Sequence, residues 1–235
     1  MIEIIPAILT DTSTRFKELV RKIEPYTSRI HVDVADGEFV SNLTVKGYNE
    51  IKETESAVKF DVHLMVKRPQ DLMKEWYYTY ADRFIIHAES EVVLADIIKV
   101  IQEHGRKVGL ALNPETQVEK IEPYLLRSVR SSASRRSRNK TSENKTISGI
   151  DFVQFMTVHP GFQGGKFINE VIDHISLFHN KYPDIIIMCD GGITPETAPK
   201  LVKAGATVLV SGSYVVRSPD MGKAIEELKI VTSIQ

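Results

Sequence analysis

A single cysteine, Cys189, stands in the 235 residues of the chain, which excludes an internal disulfide and a cysteine-based metal cluster. Any metal must therefore be held by histidine and carboxylate. No apolar run approaches the ~18 residues that a membrane span needs, so no membrane partner is expected. The N-terminus, MIEIIPAILTDTS, lacks the basic region and small-residue cleavage site of a secretory signal, and the expected location is cytoplasmic. An excess of one charge is missing too: Lys+Arg number 30, Asp+Glu 31, and the net charge is −1. That balance argues against a uniformly basic nucleic-acid binder, and 42 % hydrophobic residues exclude a mostly disordered chain.

The balance is uneven along the chain. Between Arg127 and Gly149, seven cationic residues stand against Glu143 alone, a local charge of +6; with −1 in total, the rest carries −7. This stretch is long, polar and rich in Ser, Arg, Asn and Thr, and it reads as a solvated low-complexity insertion. A phosphate-rich partner for it, such as nucleic acid, is the less favoured reading.

What is present is an eightfold alternation. Short β-rich runs occur at Ile2–Leu9, Arg29–Val34, Val58–Val66, Phe84–Ala88, Val108–Leu112, Phe152–Val158, Ile185–Cys189 and Thr207–Val210. Between them lie patterns of helical spacing such as Phe16/Leu19/Val20/Ile23, Val92/Ile97/Ile98/Ile101 and Phe167/Val171/Ile172/Ile175/Phe178. A further pattern ends near Leu126. Asp11 and Thr12, Pro69, and Thr194-Pro195-Glu196 supply helix starts. Strand-then-helix repeated this way implies parallel strands with crossover helices. Eight units in one domain spanning residues 1–235 predict a closed (β/α)8 TIM barrel. An open Rossmann-like sheet is the alternative, but the first turn, Ala7-Ile8-Leu9-Thr10-Asp11, has no glycine. Pro6 counts mildly against a central first strand.

In such a barrel the chemistry sits at the C-terminal strand ends. A period of two puts His31 and Asp33 on one side of the second strand, and His63 and Asp190 end the third and seventh at similar depth. Two imidazoles and two carboxylates converging in an apolar lumen are costly without a shared cation. One divalent metal ion, zinc, iron(II), manganese or cobalt, fits this donor set. Glycine-containing stretches follow three adjacent strands: Gly161-Phe162-Gln163-Gly164-Gly165 after the sixth, Gly191-Gly192 after the seventh and Gly212-Ser213 after the eighth. They let backbone N–H groups approach an anion and point to a small phosphorylated substrate.

Cys189 precedes Asp190 by one and is expected to face away from the lumen. His87 reads either as a pocket residue or as a satisfied core histidine, whereas His104, His174 and His179 read as surface residues. Trp76, Tyr77, Tyr78 and Tyr80 read as core and interface rather than a base-stacking platform.

The run His31-Val-Asp33-Val-Ala-Asp-Gly-Glu-Phe-Val-Ser-Asn42, His63-Leu-Met-Val66, the Met156-Thr-Val-His-Pro-Gly-Phe loop, Asp190-Gly-Gly-Ile193 and Val210-Ser-Gly-Ser213 resemble the successive signatures of the ribulose-phosphate 3-epimerase family. The resemblance implies a ribulose-phosphate-binding barrel that interconverts D-ribulose 5-phosphate and D-xylulose 5-phosphate with a divalent metal, and a homo-oligomer. It implies His31, Asp33, His63 and Asp190 as metal ligands, with Asp33 and Asp190 also the catalytic acid/base pair. Substrate and phosphate contacts would come from His63, Gly161, Phe162, Gln163, Gly164, Gly191, Gly192, Gly212 and Ser213. Four departures stand out: Ala7 where the family usually has Ser, Ala35 where it has Met, His159 where Asn or Glu is usual, and Phe162-Gln163-Gly164-Gly165-Lys166 where Phe-Gly-Gly-Gln is commoner. The Ser hydroxyl and Met side chain missing at Ala7 and Ala35 leave room for a six-carbon ketose phosphate such as allulose 6-phosphate. A non-catalytic scaffold barrel is the alternative of a different class.

Overall fold

The computed structural model describes residues 2–125 and 149–233. Eight parallel strands close into a barrel in chain order: β1 (Glu3–Ile8), β2 (Arg29–Ala35), β3 (Lys59–Met65), β4 (Ala81–His87), β5 (Lys107–Leu112), β6 (Phe152–Met156), β7 (Ile186–Asp190) and β8 (Val208–Ser211). All eight expected runs are strands, though β4 begins at Ala81, before the expected Phe84. Pro6 is accommodated in β1, whose ladder to β2 starts only at the next residue, Ala7↔His31.

The helices among the described residues are α1 (Ser13–Ile23), α2 (Tyr48–Lys52), α3 (Met73–Trp76), α4 (Leu94–Glu103), α5 (Val171–Lys181), α6 (Ala198–Ala204), α7 (Ser213–Val216) and α8 (Met221–Ser233). Helix α1 follows its sequence pattern closely. Thr12 is the N-cap and accepts from the Arg15 N–H, and Phe16, Leu19, Val20 and Ile23 are buried. Each such burial contributes about 1.5–3 kcal/mol.

Other helix signals shifted. Pro69 opens a single 3-10 turn, Pro69–Asp71, before the four-residue α3. Pro199 rather than Pro195 stands in the first turn of α6, because Thr197 takes the cap position and its hydroxyl donates to the Gly192 carbonyl at 2.7 Å. After β5 the described residues form only 3-10 turns, Val118–Lys120 and Glu122–Tyr124, in place of the expected fifth helix. The expected insertion at 127–149 lies outside the described residues except for Gly149.

One core fills the layer between barrel and helices and includes Cys189, which faces away from the lumen. A second fills the lumen with Ile5, Ala7, Ile85, Ala111, Phe152, Met188, Val208 and Val210. Gly109 makes space for this second core, since a Cβ there would lie 2.2 Å from the Phe152 ring. The lower end of the barrel is closed by charge. Arg29 pairs with the fully buried Asp61 and, at 2.7 Å, with Asp82; Arg83 reaches Asp61 at 3.5 Å. Burial pushes the Asp61 carboxyl up despite both guanidiniums. No helix among the described residues is long and apolar enough to cross a membrane.

Candidate metal centre and phosphate cleft

Strand register brings the four expected metal-site residues together. Asp33 of β2 pairs with His63 of β3, and Met156 of β6 with Asp190 of β7. His31, Asp33, His63 and Asp190 each offer a ligand atom within 4.8 Å of all the others, and all four are buried. His63 Nδ1 lies 2.9 Å from Asp33 Oδ1 and 3.3 Å from Asp190 Oδ2. His31 Nε2 stands 3.4 Å and 3.6 Å from the same two oxygens, too far or too poorly aligned to bond, so neither nitrogen of this wholly buried ring has a hydrogen-bond partner. An unsatisfied buried imidazole facing two carboxylates is costly. A divalent cation among the four donors would relieve it, and two nitrogens with two oxygens suit a transition metal. The residues therefore fit a metal ion.

Without a metal, the same groups balance one another's charge. Burial disfavours an ionised Asp33, but the imidazoles of His31 and His63 outweigh it and hold the carboxyl well below the usual range. Burial likewise opposes a charged His63, but Asp190 and Asp33 push its pKa up to about 9.

On its far side His63 Nε2 meets His87 Nε2 at 2.9 Å, and His87 Nδ1 meets Glu89 Oε2 at 3.1 Å. Glu89 is anchored in turn by the Asn113 N–H at 2.9 Å. Burial works against its charge, but His87 wins and lowers its pKa to about 2. Of the two readings of His87, the structure selects the satisfied core histidine: the ring is fully buried and lies under Phe39, centroid to centroid 4.7 Å.

Beside the four donors lies a cleft that opens to solvent. It is lined by Asp33, Asp190, Gly161, Phe162, Gln163 and Gly164, and on its other wall by Gly191, Gly192, Gly212 and Ser213. Gly191 has φ +106, and a Cβ there would lie 2.3 Å from Val158, so no other residue fits beside Asp190. The Thr157 N–H donates to the Asp190 carbonyl at 2.8 Å and its hydroxyl to the Gly191 carbonyl, which pins the end of β7. Across the mouth the loops after β2 and β6 touch, Val40 against Gly161.

His63 is absent from the lining residues, because Met65, two residues on along β3, lines the cleft in its place. Ala7 lines the cleft and Gln163 Nε2 reaches its carbonyl at 3.4 Å, whereas Ala35 is buried outside the lining. His159 is exposed and pairs with Glu115 at 3.4 Å. His104 is exposed as expected, but His174 and His179 are half-buried, the latter against Gly205. Trp76 is core, while Tyr78 and Tyr80 are exposed. Sequence reasoning passed over Met65, Met156, Glu89 and Gln154. The last carried a signal: it is the one polar residue in the β6 sequence Phe-Val-Gln-Phe-Met, and its parity matches Met156.

Comparisons with known proteins agree with this geometry. The profile described as the ribulose-phosphate 3 epimerase family matches residues 3–131 and 139–216. The ribulose-phosphate 3-epimerase of Bacillus subtilis (strain 168) is 33 % identical over 236 residues, covering 97 % of this chain and 99 % of its own. That of Helicobacter pylori (strain J99 / ATCC 700824) is 32 % identical, covering 97 % of each chain. Among solved structures, 3-hexulose-6-phosphate synthase from Salmonella typhimurium superposes with a TM-score of 0.66 at 14 % identity over 98 % of both chains, a likeness of fold alone. The profile spans most of a chain whose relatives align nearly end to end, and the chain therefore belongs to the ribulose-phosphate 3-epimerase family, whose members are isomerases.

Proposed function

We propose that this protein epimerises C3 of a ketose phosphate, D-ribulose 5-phosphate to D-xylulose 5-phosphate, with one divalent metal ion held by His31, Asp33, His63 and Asp190. The carrying observation is the convergence of those four donors within 4.8 Å beside a glycine-walled cleft, with both His31 nitrogens unsatisfied. When bound, the metal supplies Lewis-acid stabilisation of the negative charge that develops on the substrate oxygens, a contribution of several kcal/mol.

Inverting a carbon beside a ketone requires a proton to leave one face and another to arrive on the opposite face. Asp33 takes the C3 proton as base, its C–H electron pair passing into the enediolate, and Asp190 returns a proton to the other face; the reverse direction exchanges the roles. Each carboxylate turns one oxygen toward the imidazoles, and among the described residues its other oxygen makes no hydrogen bond. That second oxygen is the one available for proton transfer. Gly164, Gly191, Gly192, Gly212 and Ser213, with Gly161, Phe162 and Gln163, hold the phosphate end and so fix C3 between the carboxylates. A single (β/α)8 domain, a cytoplasmic location and a homo-oligomer belong to the same reading.

The test is exchange at C3 in deuterated water with D-ribulose 5-phosphate and a divalent metal. Incorporation of solvent deuterium is expected. A protein that neither binds metal nor catalyses exchange overturns the reading and favours a scaffold. Ala7 in the cleft wall supports a second substrate reading, a six-carbon ketose phosphate. A higher kcat/KM for allulose 6-phosphate than for D-ribulose 5-phosphate would select it.

A further inference from the structure

Gln154 is a buried amide in the lumen with 0 % exposure. Its Nε2 donates to Asp190 Oδ2 at 3.1 Å. That oxygen is the one that faces His63 Nδ1 and His31 Nε2. Two further atoms lie near the amide nitrogen, His63 Nε2 at 3.4 Å and Met156 Sδ at 3.5 Å. The amide oxygen, Oε1, is buried with no hydrogen-bond partner.

As a stability device this arrangement is poor. A buried acceptor without a partner costs about 1–3 kcal/mol, and an unbranched apolar side chain of similar length would fill the same space without it. The amide gains one good hydrogen bond, and that bond goes to the oxygen of Asp190 turned toward the metal donors. We infer that Gln154 is a positioning residue for Asp190: it holds Oδ2 toward the metal site and thereby leaves Oδ1 directed to the substrate. The inference rests on the function proposed above and adds a residue on β6 to a site otherwise built from β2, β3 and β7. Partners of this kind that hydrogen-bond a ligating carboxylate typically change metal affinity or activity 10–100-fold when removed.

The test uses Gln154→Met, which keeps length and volume, and Gln154→Leu as a second variant. Zn2+ affinity is measured by competition with a chelator, and thermal unfolding is measured on the metal-free proteins. Steady-state kinetics use D-ribulose 5-phosphate. The expected result is opposite in sign for binding and stability: Zn2+ binding weaker by ~10–100-fold, kcat lower by a similar factor with KM within about twofold, and a melting temperature equal to or above that of the wild type. Wild-type Zn2+ affinity together with wild-type kcat in the Met variant overturns the inference while leaving the proposed function standing. So does a loss of both that tracks a lowered melting temperature in both variants, which makes Gln154 a packing residue. A wild-type protein that binds none of Zn2+, Fe2+, Mn2+ and Co2+ and catalyses no exchange at C3 overturns the proposed function, and this inference with it.

Discussion

The Nε2 atoms of His63 and His87 face each other at 2.9 Å, which obliges one ring to donate and the other to accept. Burial holds the His87 pKa below the usual histidine value, against the pull of Glu89, so His87 is the neutral partner. Its Nδ1–H goes to Glu89 and its Nε2 accepts from His63. The donor on His63 is thus its Nε2–H, and Nδ1 is the nitrogen left for a metal.

A proton linkage follows. With its pKa near 9, His63 in the metal-free protein is protonated at pH 7, and a cation at Nδ1 must displace that proton. Calorimetric titration in buffers of different ionisation enthalpy should show about one proton released per metal at pH 7, and apparent affinity rising with pH and levelling above about 9. Stability has the matching sign. A raised histidine pKa stabilises the metal-free fold fully below about pH 6.5, and that contribution is lost as pH rises through 9. Denaturation of the metal-free protein at pH 6 and pH 9 should show the decline; equal stabilities would count against the charged His63.

Asp33→Asn and Asp190→Asn should each lower epimerase kcat by at least about 10³-fold with an unchanged circular dichroism spectrum. Both residues also belong to the metal-site cluster, so metal content should fall as well. Full activity in either variant would remove that residue from the acid/base pair.

The charge cluster at the barrel floor should matter for stability and not for chemistry. Asp61→Ala leaves Arg29, only 7 % exposed, without its buried partner, and should cost about 3–5 kcal/mol in urea unfolding. Its kcat at a temperature where the variant is folded should stay near that of the wild type.

Gly109→Ala tests the lumen packing. The added methyl meets the Phe152 ring at 2.2 Å, and the expected cost is about 1–3 kcal/mol. Pairing it with Phe152→Leu should recover part of the loss, as non-additive double-mutant unfolding energies would reveal.

Much of this was legible along the chain because it depends on local periodicity. The two-residue repeat of a strand puts His31 and Asp33 on one face whatever their neighbours do, and strand ends that carry Asp190-Gly191-Gly192 or Ser211-Gly212-Ser213 announce loops at the barrel top. The eightfold alternation likewise requires only short-range patterning. Helix starts were less legible where two prolines competed, as at Pro195 and Pro199, because a distant hydrogen bond, Thr197 to Gly192, decided between them.

What the tertiary structure alone decided concerns neighbours across strands. Inter-strand register sets which lumen residues share a layer, and no single strand encodes it. Register aligned Asp33 with His63 and Met156 with Asp190. It also turned His87 into the acceptor behind His63 and set the amide of Gln154 against Asp190. The sequence by itself determined which side chains the strand ends carry inward; the closure of the barrel determined which of them touch, because contact in a lumen is made between strands far apart in the chain.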